Sequence, residues 1–375
     1  MQHMPDAAVR PPVLLFMYLG RFGALGRFTL ELAEAAAETA EIEAHFLASA
    51  NNDLVKAAAS SGIAVRTLDT FARPTPLALI AGYRRARSQF LAQLDAVQPM
   101  AVVNLMAHVW SPFLTRAAQA RGVRVLTIVH DAVPHPGDPT ARLNRWLLRE
   151  ARHADRIVTL SRSVARSLVE QGYGAQCGID VLFHPDLRFA TPGIARKWTG
   201  DHPLRVLFLG RIMAYKGLDL LVEAVEDLRS QGRAVELGVA GSGDICARTR
   251  SALDRVGAEV INRWIDDDEI TPLLARYDAV ACAHVEASQS GVAATAFAHA
   301  MPVIAMPTGG IVEQVIDGET GVLATQVSRE ALGAAIARLS DSPELYNAIS
   351  AKLAASASTR SMGAFLRSIC HAAVG

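Results

Sequence analysis

Short apolar runs alternate with longer amphipathic ones along almost the whole chain, and that rhythm leaves few folds open. In the first half seven runs read as strands: VLLFMYL, AHFLASA, AVRTL, AVVNLM, RVLTIVH, RIVTLS and IDVLF. Helix-like segments such as RFTLELAEAAAE and SPFLTRAAQARG separate most of them, which predicts a parallel sheet covered by helices. A stretch holding Pro185, Pro192, Gly193 and Pro203 interrupts the rhythm and marks a linker. LRVLFLG then restarts it, and AVELGVAG, AEVIN, DAVACA, PVIAM and GVLA continue it. At 375 residues the chain exceeds the size at which one core usually stops growing. The expectation is two doubly wound domains, residues 1–184 and 185–355, with a closing helix over 356–375 that packs back towards the first. A ligand then belongs at the carboxyl ends of the strands, in the cleft between the domains.

Composition narrows the function classes. Hydrophobic residues make up 51% and charged residues 20%, enough for two sizeable cores and unlike a disordered chain. The formal net charge is zero, which excludes a protein built on bulk attraction to nucleic acid. Up to Pro185 there are 19 Lys and Arg against 15 Asp and Glu, so the remainder carries 18 against 22. Arg84, Arg85 and Arg87 cluster on one helix-like segment, either as a solvated face or as a weak docking surface for anionic lipid head groups or a lipid-diphosphate acceptor. VLLFMYL is too short to span a membrane, no export signal is visible, and the four cysteines lie far apart without metal-ligand spacing. A reduced, cytoplasmic protein is expected, at most touching the inner face of the membrane through its first domain.

Three loop-to-helix junctions are suited to phosphate. In YLGRFGALGRFTLELAEA, Gly20, Gly23 and Gly26 follow a strand and let the backbone approach an anion; the alternative is a tight turn that needs glycine for its own sake. The spacing differs from G-x-G-x-x-G and no acid ends the next strand, which disfavours a nicotinamide site. In VLFLGRIMAYKGLDLLVEAV, Gly210 is followed by Arg211 and Lys216 on either side of a turn, a fork and a point charge fit to meet a departing diphosphate. In EASQSGVAATAFAHAMPVIAM, Ser288, Gln289, Ser290 and Gly291 precede a helix of small residues whose free amides favour an anion. Thr295 lies one turn inside that helix, within reach of a ligand hydroxyl or bonded to its own backbone.

His130 ends a strand where the cleft should be and can hydrogen-bond a ligand bound there. His108 is placed similarly but reads better as a satisfied cleft-edge histidine, and Asp131 either orients a neighbour or starts a turn. Asp266, Asp267 and Asp268 stand before a helix-like segment and read as capping acids rather than metal ligands. Glu313 in GGIVEQV follows Gly309 and Gly310 and reads as a first-turn helix acid, with a second role open to it.

Together, LGRIMAYKGLDLLVEAV, VAGSGD and ASQSGVAATAFAHAMPVIAMPTGGIVEQVIDGETGVLA resemble the nucleotide-sugar domain of family 4 retaining glycosyltransferases of the GT-B fold, over most of residues 204–324. The first half is similar in layout only. The resemblance implies an α/β protein of two Rossmann-like doubly wound domains facing a central cleft. It implies that Gly210, Arg211 and Lys216 hold the donor diphosphate, and that Ser288, Gln289, Ser290 and Gly291 hold phosphates and sugar. The loop 263–265, with Ile265, would meet the nucleobase, His130 the reacting region, and the stretch around Glu313 would line the site. No metal and no cofactor beyond a UDP- or GDP-sugar are implied, with a saccharide or lipid-linked saccharide of the bacterial surface as acceptor. The family's Glu-x7-Glu pair falls here on Ala287 and Thr295, so Glu286, one position early, is the candidate replacement for the first carboxylate. A nucleotide-sugar epimerase of the same architecture and a binding partner without turnover stay open as alternatives, with an NAD-linked enzyme as outsider.

Overall fold

The computed structural model describes residues 10–20, 24–71, 76–134, 143–189 and 193–375. The chain first builds a sheet from β1 (Val13–Tyr18), β2 (Glu43–Ser49), β3 (Val65–Leu68), β4 (Ala101–Asn104), β5 (Arg124–Val129), β6 (Arg156–Thr159) and β7 (Ile179–Val181). Between them run α1 (Ala24–Ala37), α2 (Asp53–Ser60), α3 (Pro76–Val97), α4 (Ser111–Gln119), α5 (Asn144–Leu147) and α6 (Arg162–Glu170). Every pairing is parallel, in the order β3-β2-β1-β4-β5-β6-β7.

Alternate residues of β1 serve opposite layers, because successive side chains in a strand point to opposite faces. Leu14, Phe16 and Tyr18 pack with Phe28 and Leu32 of α1, while Leu15 and Met17 pack with Phe90 and Leu94 of α3. Both faces are covered, so the strand is apolar throughout and not alternating.

The second sheet is β8 (Leu204–Leu209), β9 (Val235–Ala240), β10 (Glu259–Ile261), β11 (Ala279–Cys282), β12 (Val303–Ala305) and β13 (Gly321–Leu323), in the order β10-β9-β8-β11-β12-β13. Its connections carry α7 (Leu218–Ser230), α8 (Ala247–Arg255), α9 (Asp267–Leu274), α10 (Gly291–Ala298), α11 (Ile311–Gln314) and α12 (Arg329–Ser340), followed by α13 (Pro343–Ala355).

The last helix, α14 (Met362–Val374), returns to the first domain. Its Phe365, Leu366 and Ile369 are buried in that core, Phe365 meets Phe28 edge-on at 5.4 Å, and Arg124 donates to the Ala373 carbonyl at 2.7 Å. Arg360, just before it, binds the buried Asp186 of the linker at 3.1 Å; burial pushes that carboxyl up to about 6 against the pull of Arg360. Strand order reverses between β1 and β4 and between β8 and β11. At such switch points neighbouring loops leave towards opposite faces and open a crevice, so the loops after these four strands define where a ligand can sit.

Candidate active site

At the second switch point β8 is followed by Gly210, whose φ of +103° turns the chain out of the sheet. The loop is tied to the end of β9 by Gly210 N–H to the Ala240 carbonyl, 2.9 Å, and Ile212 N–H to the Ser242 carbonyl, 2.8 Å. One 3-10 turn, Ala214–Lys216, then brings Lys216 back over the strand end. A Cβ built on Gly210 would stand 3.5 Å from both Lys216 Nζ and Val292 Cγ2, so the ammonium lies between the end of β8 and the first turn of α10. Burial, helped by Arg211, pushes this ammonium below its usual range, with the Cys282 thiol acting the other way. Among the described residues neither Arg211 nor Lys216 is paired with a carboxylate.

Opposite stands the start of α10. The Ser290 hydroxyl accepts from Ala293 N–H at 3.2 Å and caps the helix. The Ser290 N–H donates to Gln314 Oε1 at 2.6 Å, and Gln314 Nε2 returns a bond to the Ser290 carbonyl at 3.2 Å. This corrects the sequence expectation for Ser290: its amide is already taken, and among the described residues the N–H groups of Gly291 and Val292 are the ones at this helix start without a hydrogen-bond partner. Ser288 offers its carbonyl to Ser161 Oγ of the first domain at 2.9 Å. Gln289 is half-buried, with Oε1 buried and unpartnered among the described residues.

Thr295 is 5% exposed and donates its hydroxyl to the Gly291 carbonyl at 2.9 Å, the backbone-bonded arrangement. Replacing it with valine should therefore leave nucleotide affinity within about twofold and cost about 1 kcal/mol of stability, the usual worth of one hydrogen bond. Calorimetric titration and urea melts check both. Ala287, in the position of the family's first carboxylate, is buried, and its carbonyl accepts from Gly310 N–H at 3.1 Å. Glu286 is exposed and lines a pocket of about 240 Å³ shared with Ala132, Val133 and Ser163 of the first domain.

From the first domain, His130 places Nε2 2.9 Å from the Leu105 carbonyl. A carbonyl only accepts, so Nε2 carries the proton and Nδ1 is left as an acceptor. Burial pushes the His130 pKa down, against the pull of Asp131. His108 accepts from Trp110 N–H at 3.3 Å through Nδ1 and stacks on Phe71 at 5.4 Å between centroids, the satisfied state expected of it.

Burial pushes His108 down to about 4, and His184 likewise. Folded-state pKa values below 6.5 mean that these rings give up stability as pH falls from 6.5 towards 4, where the unfolded chain takes up protons they refuse. Glu31 and Glu150, each raised to about 7 by burial, act in the opposite sense between 4.5 and 7. The histidine share is thus a difference: His184→Gln should lose less stability than wild type between about pH 7 and about pH 5, read from urea midpoints.

Gly23 lies outside the described residues. Of its neighbours, Gly20 offers its carbonyl to Asn52 Nδ2 at 2.5 Å, and Gly26 lines a cavity of about 590 Å³ with Arg27, Asn52, Trp264, Asp266 and Asp267. Trp264 is 54% exposed there, whereas Ile265 packs against the core of the second domain. Within the loop 263–265 the tryptophan, not Ile265, thus presents its ring to the cleft. The acidic run is a cap: Asp266 and Glu269 form a capping box at the start of α9. Among the described residues no group of three or more His, Cys, Asp or Glu is placed to hold a metal ion.

Sequence reasoning missed Glu150, 1% exposed under the ends of β4 and β5, where Asn104 Nδ2 donates to both its oxygens at 2.8 and 2.9 Å and Thr127 Oγ1 donates at 2.8 Å. It also missed the pair of hydrogen bonds between Gln314 and Ser290, because those partners come together only through the fold. Glu313, left open between two roles, is a first-turn acid of α11 whose carboxylate crosses the cleft to accept from Arg162 N–H at 2.7 Å and Ser163 N–H at 2.8 Å.

Two comparisons with protein families match most of the chain between them. Residues 25–181 match Glycosyltransferase Family 4, and residues 203–342 match Glycosyl transferases group 1. Relatives include a D-inositol 3-phosphate glycosyltransferase of Xylanimonas cellulosilytica, 30% identical over 52% of this chain and 51% of its own length. Another is a GDP-mannose-dependent alpha-(1-6)-phosphatidylinositol monomannoside mannosyltransferase of Mycolicibacterium smegmatis, 27% identical over 61% of this chain and 64% of its own. The chain thus spans about half to two thirds of the length of these two relatives. Anabaena HepE in complex with UDP-glucose shares the fold at a TM-score of 0.71 and 16% identity, covering 96% of this chain and 99% of that one.

Proposed function

We propose that this chain, a GT-B glycosyltransferase of the family 4 type by its two domains, moves a sugar from a nucleoside-diphosphate sugar to a hydroxyl acceptor with retention of configuration. The observation that carries the reading is Lys216, set between the end of β8 and the first turn of α10, with the exposed Arg211 on the same loop and neither cation paired with a carboxylate among the described residues. A leaving diphosphate gathers negative charge as the glycosidic bond breaks, and fixed cations and amides in a partly dry site meet that charge without reorganising. The leaving phosphate takes the acceptor proton on the same face, so no separate base is needed. Among relatives and structural neighbours, one is named for GDP-mannose and one holds UDP-glucose, which supports a UDP- or GDP-sugar here. Trp264 would stack on the nucleobase.

The test is a thermal-shift screen against UDP, GDP, ADP, CMP and NAD without metal, repeated with Arg211→Ala. A rise in melting temperature with one diphosphate, lost in the variant, supports the reading, because a ligand that binds only the folded state stabilises it. No rise with any of them sinks it. Thr295 and Ala287 supply no carboxylate, which favours a second reading, a nucleotide-binding partner without turnover; bound nucleotide sugar that never yields free diphosphate with any acceptor would select it.

For the acceptor we propose a saccharide or lipid-linked saccharide of the bacterial surface, handled at the inner face of the membrane. No described helix is long and apolar enough to cross a membrane. Exposed Arg84 and Arg87 on α3 stand on a surface with Ile80, 71% exposed, and Phe113 of α4, 42% exposed. Flotation with vesicles rich in anionic lipid should retain the protein at low salt, and the double variant Arg84→Ala, Arg87→Ala should weaken binding about 30-fold, at roughly 1 kcal/mol per charge. Equal flotation of both proteins would refute the membrane reading.

A further inference from the structure

The short helix α11 touches both sides of the cleft through adjacent residues. Gln314 holds Ser290 at the start of α10 by two hydrogen bonds, and Glu313 accepts from the two leading amides of α6. Both amides belong to the first domain and have no partner within their own helix, so the carboxylate supplies what an N-terminus lacks and also meets its dipole. Two further contacts close the circuit. Ser161, the cap of α6, donates to the Ser288 carbonyl at 2.9 Å, and Gly310 N–H donates to the Ala287 carbonyl at 3.1 Å. The approach is close: a Cβ on Gly310 would stand 1.9 Å from the Ser288 oxygen and 2.8 Å from Ser161 Cβ.

We infer that Glu313 is a positioning residue. Through the N-terminus of α6 it clasps the first domain against residues 286–290, so the shape of that loop depends on the other domain being in place. The inference rests on the reading that this loop holds the donor, and it adds how the loop is held. Glu313 has both oxygens on backbone amides of the opposite domain, so its effect on donor binding is indirect.

The decisive variant acts from the far side of the cleft. Arg162→Pro removes one of the two amide protons that Glu313 accepts. It suits the helix, because proline is favoured at the first helical position and Ser161 before it is extended, at φ −156° and ψ 152°. Arg162→Ala is the control, since it removes the exposed side chain and keeps the N–H. Amide hydrogen exchange, run without ligand, should speed up over residues 284–292 in both Glu313→Ala and Arg162→Pro, with Arg162→Ala matching wild type. Unchanged exchange in Arg162→Pro, at an unchanged melting temperature, overturns the clasp. Titration with the diphosphate that stabilises wild type should show binding about 5- to 20-fold weaker in each variant, and no weaker in the double variant than in the worse single one. Weakening by Glu313→Ala alone would mean that Glu313 touches the ligand directly, which also overturns the clasp. If wild type binds no nucleotide the transferase reading falls, while loop exchange still decides whether the clasp exists.

Discussion

Lys216→Ala should lower the rate of sugar transfer by a factor of roughly 30 to 1,000, on the order of 2–4 kcal/mol of transition-state stabilisation, as for the loss of other preorganised charge-stabilising donors. The size follows from placement. The ammonium lies between the end of β8 and the first turn of α10 and has no carboxylate among the described residues to neutralise it. Burial disfavours its charge, so a bound diphosphate would restore what folding takes away. Kinetics with saturating donor should show the loss in kcat beyond any rise in KM, since charge on the diphosphate grows only as the bond breaks. Lys216→Met, which keeps the stem and its packing, should behave like the alanine variant. Turnover unchanged in both would remove the residue from the chemistry.

Gly241→Ala should unfold the second domain at markedly lower denaturant. Gly241 has φ +149°, and a Cβ there would stand 1.8 Å from the Gly210 carbonyl oxygen and 2.6 Å from its carbon. The obstacle is backbone, which cannot swing aside as the end of a side chain can. Backbone strain of about 1–3 kcal/mol adds to overpacking of about 1–3 kcal/mol, so a loss of roughly 2–6 kcal/mol is expected in urea melts. The clash falls on the loop that carries Arg211, so nucleotide affinity should drop with it. A stability within about 0.5 kcal/mol of wild type would show that the β8 and β9 ends are not packed as described.

Much of the architecture is legible in the order of residues alone. The strands from VLLFMYL to GVLA are readable because parallel strands covered on both faces are mainly apolar; central β1 is apolar throughout, while the edge strands β3, β7 and β10 carry charged residues. Gly210, Arg211 and Lys216 are readable because a strand, a turn and two cations lie within one local stretch. Of the three aspartates expected to cap α9, Asp266 is its cap and Asp267 and Asp268 lie in its first turn; Glu269, which closes the capping box, is not among them.

Pairings across distance leave no such mark in the sequence. Glu150 and Asn104 are 46 residues apart, and Glu313 reaches an amide 151 residues earlier. Ser290 displays the difference within one residue. Its place at the head of a helix is a local property, readable from Ser-Gly before a run of small residues. Whether its amide is free for a ligand depends on Gln314, 24 residues on, and is decided only when α11 packs beside the loop. Trp264 and Ile265 divide in the same way, since both belong to the loop after β10 and only packing turns one ring to the cleft and the other side chain to the core. By itself the sequence determined the two-domain parallel architecture, the strand ends where a ligand can sit and the cations there, because periodicity and loop chemistry act over a few residues. The tertiary structure alone decided which amides stay open, which carboxylates are buried and how the first domain meets the loop before α10, because those depend on groups that the chain brings together only by folding.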